Sequence, residues 1–418
     1  MKNINQDAGT IKTLKSNRTI KIFHLAQTVV QLLILLLCAT LNFVDKNLFN
    51  QTQKIAIILS LILTCLQFSL LQNESEKPKR WQLVNHYVET IAICCTLPIS
   101  LALLTKLLNQ YHLINVTFWM LLVTCYAFVM YIPMTKLALC WVSNNWGRIL
   151  LLIFVVYGQV MWTASFIAGH LRYNKVLLQI NNSGLSGIPI LIIITALVMP
   201  SWKIQKPHFV YSRNDSILFS SLVTLLLAGH LLLIAMPHLD NVVNIADTLN
   251  YYFDQINLGI IGSAVEAGIA EEWLVRFIVI ALLAQIFQSN KYRIYLIVLF
   301  DGLIFGSWHL ANIGHQTPLA TLHQILEIGS WGFVIAAVYL YTHSLLLTMI
   351  YHGLYDFIIF LFQGGINTYG DSITSAVQPT MADWQAVFFR VAIYTAIALL
   401  IIYSKRRQNV IARNLAQM

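Results

Sequence analysis

The sequence predicts an all-α fold, a polytopic bundle of about twelve transmembrane helices. Three observations predict it. Of the 418 residues, 58% are hydrophobic and only 10% are charged, against about 25% charged in an ordinary soluble domain. The apolar residues fall in runs long enough to cross a bilayer, which takes about twenty residues of helix. The basic residues gather at the ends of these runs, so the net charge of +9 reads as membrane orientation and not as a surface for nucleic acid.

A polar segment with Lys2, Lys12, Lys15, Arg18 and Lys21 comes first. The run after it, 23–44, meets no small-residue cleavage site and is expected to stay as a span. Cys38 follows Leu37, so no lipoprotein site is expected there. Further spans are expected at 55–72, 87–106, 115–135, 149–170, 186–201 and 216–236, then at 265–287, 294–313, 327–343, 345–363 and 385–403. Charges orient them. With the basic N-terminus in the cytoplasm, Lys77, Lys79 and Arg80 fall inside, as do Lys203, Lys206 and Arg213. Lys291, Arg293 and the tail with Lys405, Arg406, Arg407 and Arg413 fall on the same side. Segments 237–255 and 364–384 fall outside and carry Asp240, Asp247, Asp254, Asp371 and Asp383 without a lysine or arginine. That alternation follows the positive-inside rule, with Arg172 and Lys175 as exceptions. A plasma-membrane protein with both termini cytoplasmic is the expectation.

Six cysteines, Cys38, Cys65, Cys94, Cys95, Cys125 and Cys140, lie in apolar runs of the first third. Their spacing suits neither a zinc site nor a disulfide framework, and they are expected to pack as small buried hydrophobes. The chain divides by content into a multi-span region, 1–215, with few intramembrane ionisable groups, and a second part, 216–418, where they are frequent. From Gly259 onward these are Glu266, Glu271, Glu272, Arg276, Asp301, His309, His323, Glu327, His343, His352 and Asp356.

The densest cluster is AGIAEEWLVR, Ala267–Arg276. A charged side chain at mid-bilayer costs about 2.5–3.5 kcal/mol on insertion scales, so three within ten residues need a reason. Glu272 and Arg276 stand at i,i+4, acid first, and can pair on one helix face. Glu271 sits about 100° away from Glu272 on an α-helix and is less committed to that pair. In DGLIFGSWHLANIGH, Asp301, Phe305 and His309 share a face at i, i+4 and i+8. In MIYHGLYDF, His352 and Asp356 are again at i,i+4. A rise of about 1.5 Å per residue puts Glu271, His309, Asp356 and His352 roughly 9, 6, 10 and 16 Å from the outer ends of their spans, so one level can hold all four.

A carboxylate in an apolar site can serve as general base on water. An imidazole beside it can share the proton or hold the water, and a second can steady an oxyanion. That set suits peptide hydrolysis without a covalent nucleophile. Glu271, His309 and His352 could also ligate zinc, but HExxH is absent, so a metal site would draw ligands from three helices.

EEWLVR resembles the EExxxR motif, FGSWH the FxxxH motif and HGLYD the HxxxN/D motif of the CPBP family. That family holds the CAAX-processing type II proteases and the bacteriocin-processing or self-immunity "Abi" membrane proteins. The three motifs occur in the family's order across 259–363. The resemblance implies a glutamate-dependent intramembrane endopeptidase. In it Glu271 would activate water, His309 would help orient it, His352 with Asp356 would stabilise the oxyanion, and Glu272 and Arg276 would shape the site. It further implies a metal-free mechanism, as in the eukaryotic branch, though the family was long called metalloprotease. The sequence departs from the pattern at Phe277, where members often have glycine, and at Asp356, where the eukaryotic branch has asparagine. Expected partners are the lipid bilayer and membrane-associated peptides such as bacteriocin precursors, lipidated tails or signalling peptides.

Other residues suit other readings. GLSG, Gly184–Gly187, matches the GxSG of rhomboid proteases but stands as well for a turn opening a helix. The aspartyl GxGD pattern is absent. Asp301 and Glu327 suit pairing or proton relay, which a transporter would use, yet no matched broken helices support one. A non-catalytic scaffold for another membrane or cell-wall enzyme is the remaining alternative, and it would suit the long N-terminal part.

Overall fold

Backbone groups in lipid must be satisfied within the chain, and apolar runs of this length achieve that as helices. The computed structural model describes residues 18–72, 80–113, 115–156, 175–212, 216–235, 252–313, 316–362 and 378–418. Among these the backbone is helical, and its one isolated β-type pairing is a bridge between Ile313 and Gln316. Nine of the helices are long and apolar enough to cross a membrane. The helix at 187–202 has 16 residues, which rise about 24 Å and fall short of a ~30 Å hydrocarbon layer. The span expected at 149–170 runs into 157–174, outside the described residues. Lys2, Lys12, Lys15, Lys77, Lys79, Arg172, Arg213, Asp240, Asp247 and Asp371, among the charges used for orientation, also lie outside the described residues.

The chain forms two compact units, one from the residues up to Asn181 with Ser186–Lys203, the other from Asn182–Leu185 and Ile204–Met418. The first is built on α1 (Arg18–Val44), α2 (Gln51–Leu66), α3 (Arg80–Gln110), α4 (Val116–Met130), α5 (Ile132–Leu137), α6 (Asn145–Ile153), α7 (Lys175–Asn182) and α8 (Gly187–Trp202). Leu35, Cys38, Phe49, Ile57, Leu103 and Leu107 form a core in it. Its buried polar groups bond one another: Gln27 donates to the Tyr126 hydroxyl at 2.7 Å, and Gln67 to Thr96 at 2.7 Å. Glu89 is fully buried in α3 and accepts from Ser69 at 2.8 Å. The cysteine expectation needs correcting. Cys38, Cys94 and Cys140 are buried, but Cys65 and Cys125 are exposed on their helices, because the apolar runs that hold them turn one face outward.

The second unit holds α9 (Ile217–Ala235), α10 (Leu258–Glu266), α11 (Ile280–Ile286), α12 (Arg293–Trp308), α13 (Pro318–Thr342), α14 (Leu345–Phe362), α15 (Met381–Ile402) and α16 (Lys405–Leu415). The helix expected at 265–287 starts earlier, at Leu258, where the Asn257 side chain accepts from the Gly259 and Ile260 amides. It is not a uniform α-helix: π-helical turns at Ala267–Glu271 and Trp273–Val279 join α10 to α11. The basic tail is also more than a tail, since α16 buries Val410, Ile411 and Leu415.

α13 is the post of this unit and packs along α12 and α15. Thr317 caps it, and Pro318 follows with its fixed φ. Glycines let backbones touch at two crossings. A Cβ on Gly306 of α12 would lie 2.6 Å from the Ile325 carbonyl oxygen and 2.9 Å from Gly329 Cα on α13. A Cβ on Gly268 would lie 2.7 Å from the Met349 carbonyl oxygen and 2.9 Å from Gly353 Cα on α14. Helix association in lipid draws on such close packing, because apolar burial alone gains little there.

α13 ends in His343, in the left-handed conformation at φ 54°, where glycine or asparagine is usual. Its last carbonyls are satisfied from outside the helix. Asn414 donates to the Leu340 and Tyr341 oxygens at 3.0 and 2.8 Å, and the Ser212 amide to the Thr342 oxygen at 2.8 Å. His208 stacks on the buried His343 ring with centroids 4.4 Å apart.

Two predictions follow from this packing. Gly306→Val forces backbone apart and should cost about 1–3 kcal/mol, seen as a lower thermal midpoint in detergent. Gly229→Ala on α9, where a Cβ meets nothing within 4 Å, should leave the midpoint in place. Separately, burial and then the neighbouring His208 push the His343 imidazole down from 6.5 to about 4. The unfolded chain binds that proton more readily, so the fold loses stability progressively as pH falls from about 6.5 to about 4. His343→Asn, which tolerates the left-handed backbone, should flatten this part of a midpoint-against-pH curve.

Candidate active site

The site grows from the two crossings. Gly302 follows Asp301, Gly353 follows His352, and Gly268 precedes Glu271 by three residues, so the residues that bring backbones together also fix where the ionisable side chains meet. The π-helical turns shape the same stretch. A π turn carries an extra residue relative to α, and such turns gather at functional sites. Glu272 lies between the two π stretches, and Glu271 closes the first.

Deepest is a buried charge cluster. Glu272, Arg276 and Asp301 are all fully buried. Arg276 Nε stands 3.3 Å from Glu272 Oε2, its Nη1 donates to Asp301 Oδ2, and its guanidinium lies over the Phe305 ring at 4.7 Å. The i,i+4 pair expected from the sequence forms, and Asp301 takes the pairing role. Glu327 pairs too, with Arg390 at 2.9 Å.

His352 connects this cluster to a more open edge. Its Nδ1 is 2.9 Å from Glu272 Oε1. Its Nε2 is 3.8 Å from Glu271 Oε2 and 3.5 Å from Asp356 Oδ2. One imidazole is thus bracketed by carboxylates at both nitrogens. Glu272 is sealed, whereas the Glu271 side chain is 26% exposed and that of Asp356 18%. Glu271 is therefore the glutamate that solvent or substrate can reach. His309 joins by another contact. It caps α12 as the backbone tightens into the 3₁₀ turn His309–Asn312, and its ring stands edge-on to Phe305 at 6.1 Å. The same phenyl ring meets His352 at 5.7 Å, so Phe305 lies against both imidazoles.

Glu271, Glu272, Arg276, His352 and Asp356 form a chain of acid–base contacts within 3.8 Å, and His309 reaches them through Phe305. The link from His352 to Glu272 was not foreseen, because separation in sequence carried no hint of which acid the imidazole would meet. Trp331, perpendicular to His352 at 4.9 Å, was missed as one more aromatic in an apolar run. Among the described residues no group of three His, Cys, Asp or Glu side chains is disposed to hold a metal ion, the proposed set Glu271, His309 and His352 included.

Residues 254–358 match the family model for Rce1-like type II CAAX prenyl endopeptidases. That segment is an Rce1-like domain, within the CPBP family that the three motifs resemble. It runs from just before α10 through most of α14 and contains Glu271, Glu272, Arg276, His309, His352 and Asp356. Neither the curated proteins nor the solved structures yield a match to the chain.

Removing Asp301 tests the buried cluster. Asp301→Ala leaves the buried Arg276 with Glu272 as its one remaining carboxylate partner among the described residues and should cost about 3–5 kcal/mol, seen as a large drop in thermal midpoint. Asp301→Asn, which keeps an acceptor, should cost less.

Proposed function

We propose that this protein is an intramembrane endopeptidase that hydrolyses peptide bonds of membrane-associated or hydrophobic peptides, using water activated by Glu271. The observation that supports it most is the division of labour between adjacent glutamates. Glu272 is sealed against Arg276 and His352, and Glu271 beside it keeps an accessible carboxylate facing the far nitrogen of the same imidazole.

In this reading Glu271 takes a proton from water as the water oxygen adds to the peptide carbonyl carbon. His309 helps orient that water, and the carbonyl oxygen becomes an oxyanion stabilised by His352 with Asp356. The carbon–nitrogen bond then breaks, and the proton held by Glu271 passes to the leaving amine, giving an acid and an amine. Asp356 would oppose the oxyanion if its charge stood alone. At 3.5 Å from His352 Nε2 it instead faces the imidazole that steadies the oxyanion. Arg276, Glu272 and Asp301 hold the arrangement from behind. The reaction draws on no metal, and persistence in chelator is expected. Among candidate substrates the family description favours prenylated CAAX tails; bacteriocin processing and self-immunity are the broader class. The charge pattern supports a plasma-membrane protein with cytoplasmic termini.

The test uses protein reconstituted in liposomes and a quenched fluorescent peptide with a prenylated or apolar end. Glu271→Gln should lower kcat about 10²–10⁴-fold and leave the thermal midpoint where it was. Glu272→Gln should lower both. Unchanged turnover in the Glu271 variant would remove Glu271 as the base, and no cleavage by the unaltered protein would remove the hydrolytic reading and leave a scaffold.

A further inference from the structure

A chain of aromatic and hydroxyl groups behind the site is not used by the chemistry above. His230, on α9, lies outside the segment matched to the family, as does Tyr394 on α15. An imidazole in a lipid-embedded bundle has to find partners for both nitrogens or bear the cost of a stranded polar atom. His230 finds them: Nδ1 is 2.7 Å from the Tyr351 hydroxyl, and Nε2 is 2.9 Å from the Tyr394 hydroxyl. Trp331 Nε1 is 3.1 Å from the same Tyr351 hydroxyl.

The directions of these bonds follow from what each group can do. An indole N–H only donates, so Tyr351 accepts from Trp331. The Tyr351 proton is then available to His230 Nδ1, and His230 Nε2–H donates to Tyr394. One sequence, Trp331 to Tyr351 to His230 to Tyr394, uses each group in a role open to it and puts the His230 proton on Nε2; the reverse tautomer, with Tyr351 accepting twice, satisfies both ring nitrogens as well.

Stacking carries the order onward. Tyr355 lies on Trp331 with centroids 4.5 Å apart and planes at 30°. It is also nearly parallel to His230, at 6.0 Å and 12°. Trp331 is held by its own N–H and by Tyr355, and it stands perpendicular to His352 at 4.9 Å and 85°. Trp331, Tyr351 and His352 are all buried, so the indole has little room to turn.

We propose that His230, Tyr351 and Trp331 are positioning residues: tied through His230 and Tyr394 to helices α9 and α15 outside the matched segment, they set the orientation of His352 between its carboxylates. For its kinetic consequence this rests on the endopeptidase reading; for its geometry it does not.

The full-length protein is labelled with [¹⁵N]histidine, reconstituted in bilayers and studied by solid-state NMR, with His352 assigned by its loss in His352→Gln. Tyr351→Phe removes one hydroxyl and keeps the ring. It should move the His352 ring resonances and lower kcat about ten- to a hundredfold, with KM unchanged. His230→Phe should do the same, and His230→Gln, which can still donate and accept, should recover part of the rate. If Tyr351→Phe and His230→Phe leave the His352 resonances in place, or leave kcat in place in an active protein, the proposal is overturned. If the wild type cleaves no peptide, the endopeptidase reading fails, and the resonances alone decide the positioning role.

Discussion

The rest of the second unit depends on a guanidinium that has no access to water. Arg276 is fully buried, and a charge in such surroundings is tolerated only with partners in good geometry. It draws Glu272 from its own helix and Asp301 from α12. Glu272 in turn holds His352 of α14. Three helices are thereby tied at one depth by groups that cannot be left apart. The apolar contacts around them are permissive, because lipid tails are as good a partner for leucine as another helix is. The charged cluster and the glycine crossings supply what the apolar surface does not, namely one arrangement of these helices and no other.

Much of this was legible in the sequence, because intramembrane charge is rare and each instance demands a partner. The pair Glu272–Arg276 could be read from spacing along one helix, and the face shared by Asp301, Phe305 and His309 from helical periodicity. The helical class needed only the apolar runs. What could not be read was pairing between helices. Nothing in the spacing says that His352 meets Glu272 as well as Asp356, or that Arg276 chooses Asp301. The π turns were hidden for a related reason: AGIAEEWLVRFIV has ordinary helix-forming residues, and the widened backbone comes from how it packs on α14. The glycines Gly268, Gly302, Gly306 and Gly353 were plain in the sequence. Their purpose emerges only when the neighbouring backbone is seen against them.

The site also shows how one imidazole can serve two ends. Toward Glu272 it is structural, closing a buried ion network. Toward Glu271 and Asp356 it borders an accessible edge. Fixing one nitrogen fixes the direction of the other, a common way for a protein to set which ring nitrogen is offered to chemistry. Aromatic rings complete the enclosure, with Phe305 touching Arg276, His309 and His352.

The widened turns have a consequence for how the chain can change over time. A π turn accommodates one residue more than α geometry would, so the positions of Glu271 and Glu272 relative to Arg276 depend on residue number as much as on residue type. Loss of a single residue between Ala267 and Val279 would let the backbone relax to α and swing the acids about 100° around the axis. Substitution in this stretch can be gradual; a change of length cannot, and the motif is in effect a counted ruler laid along the helix.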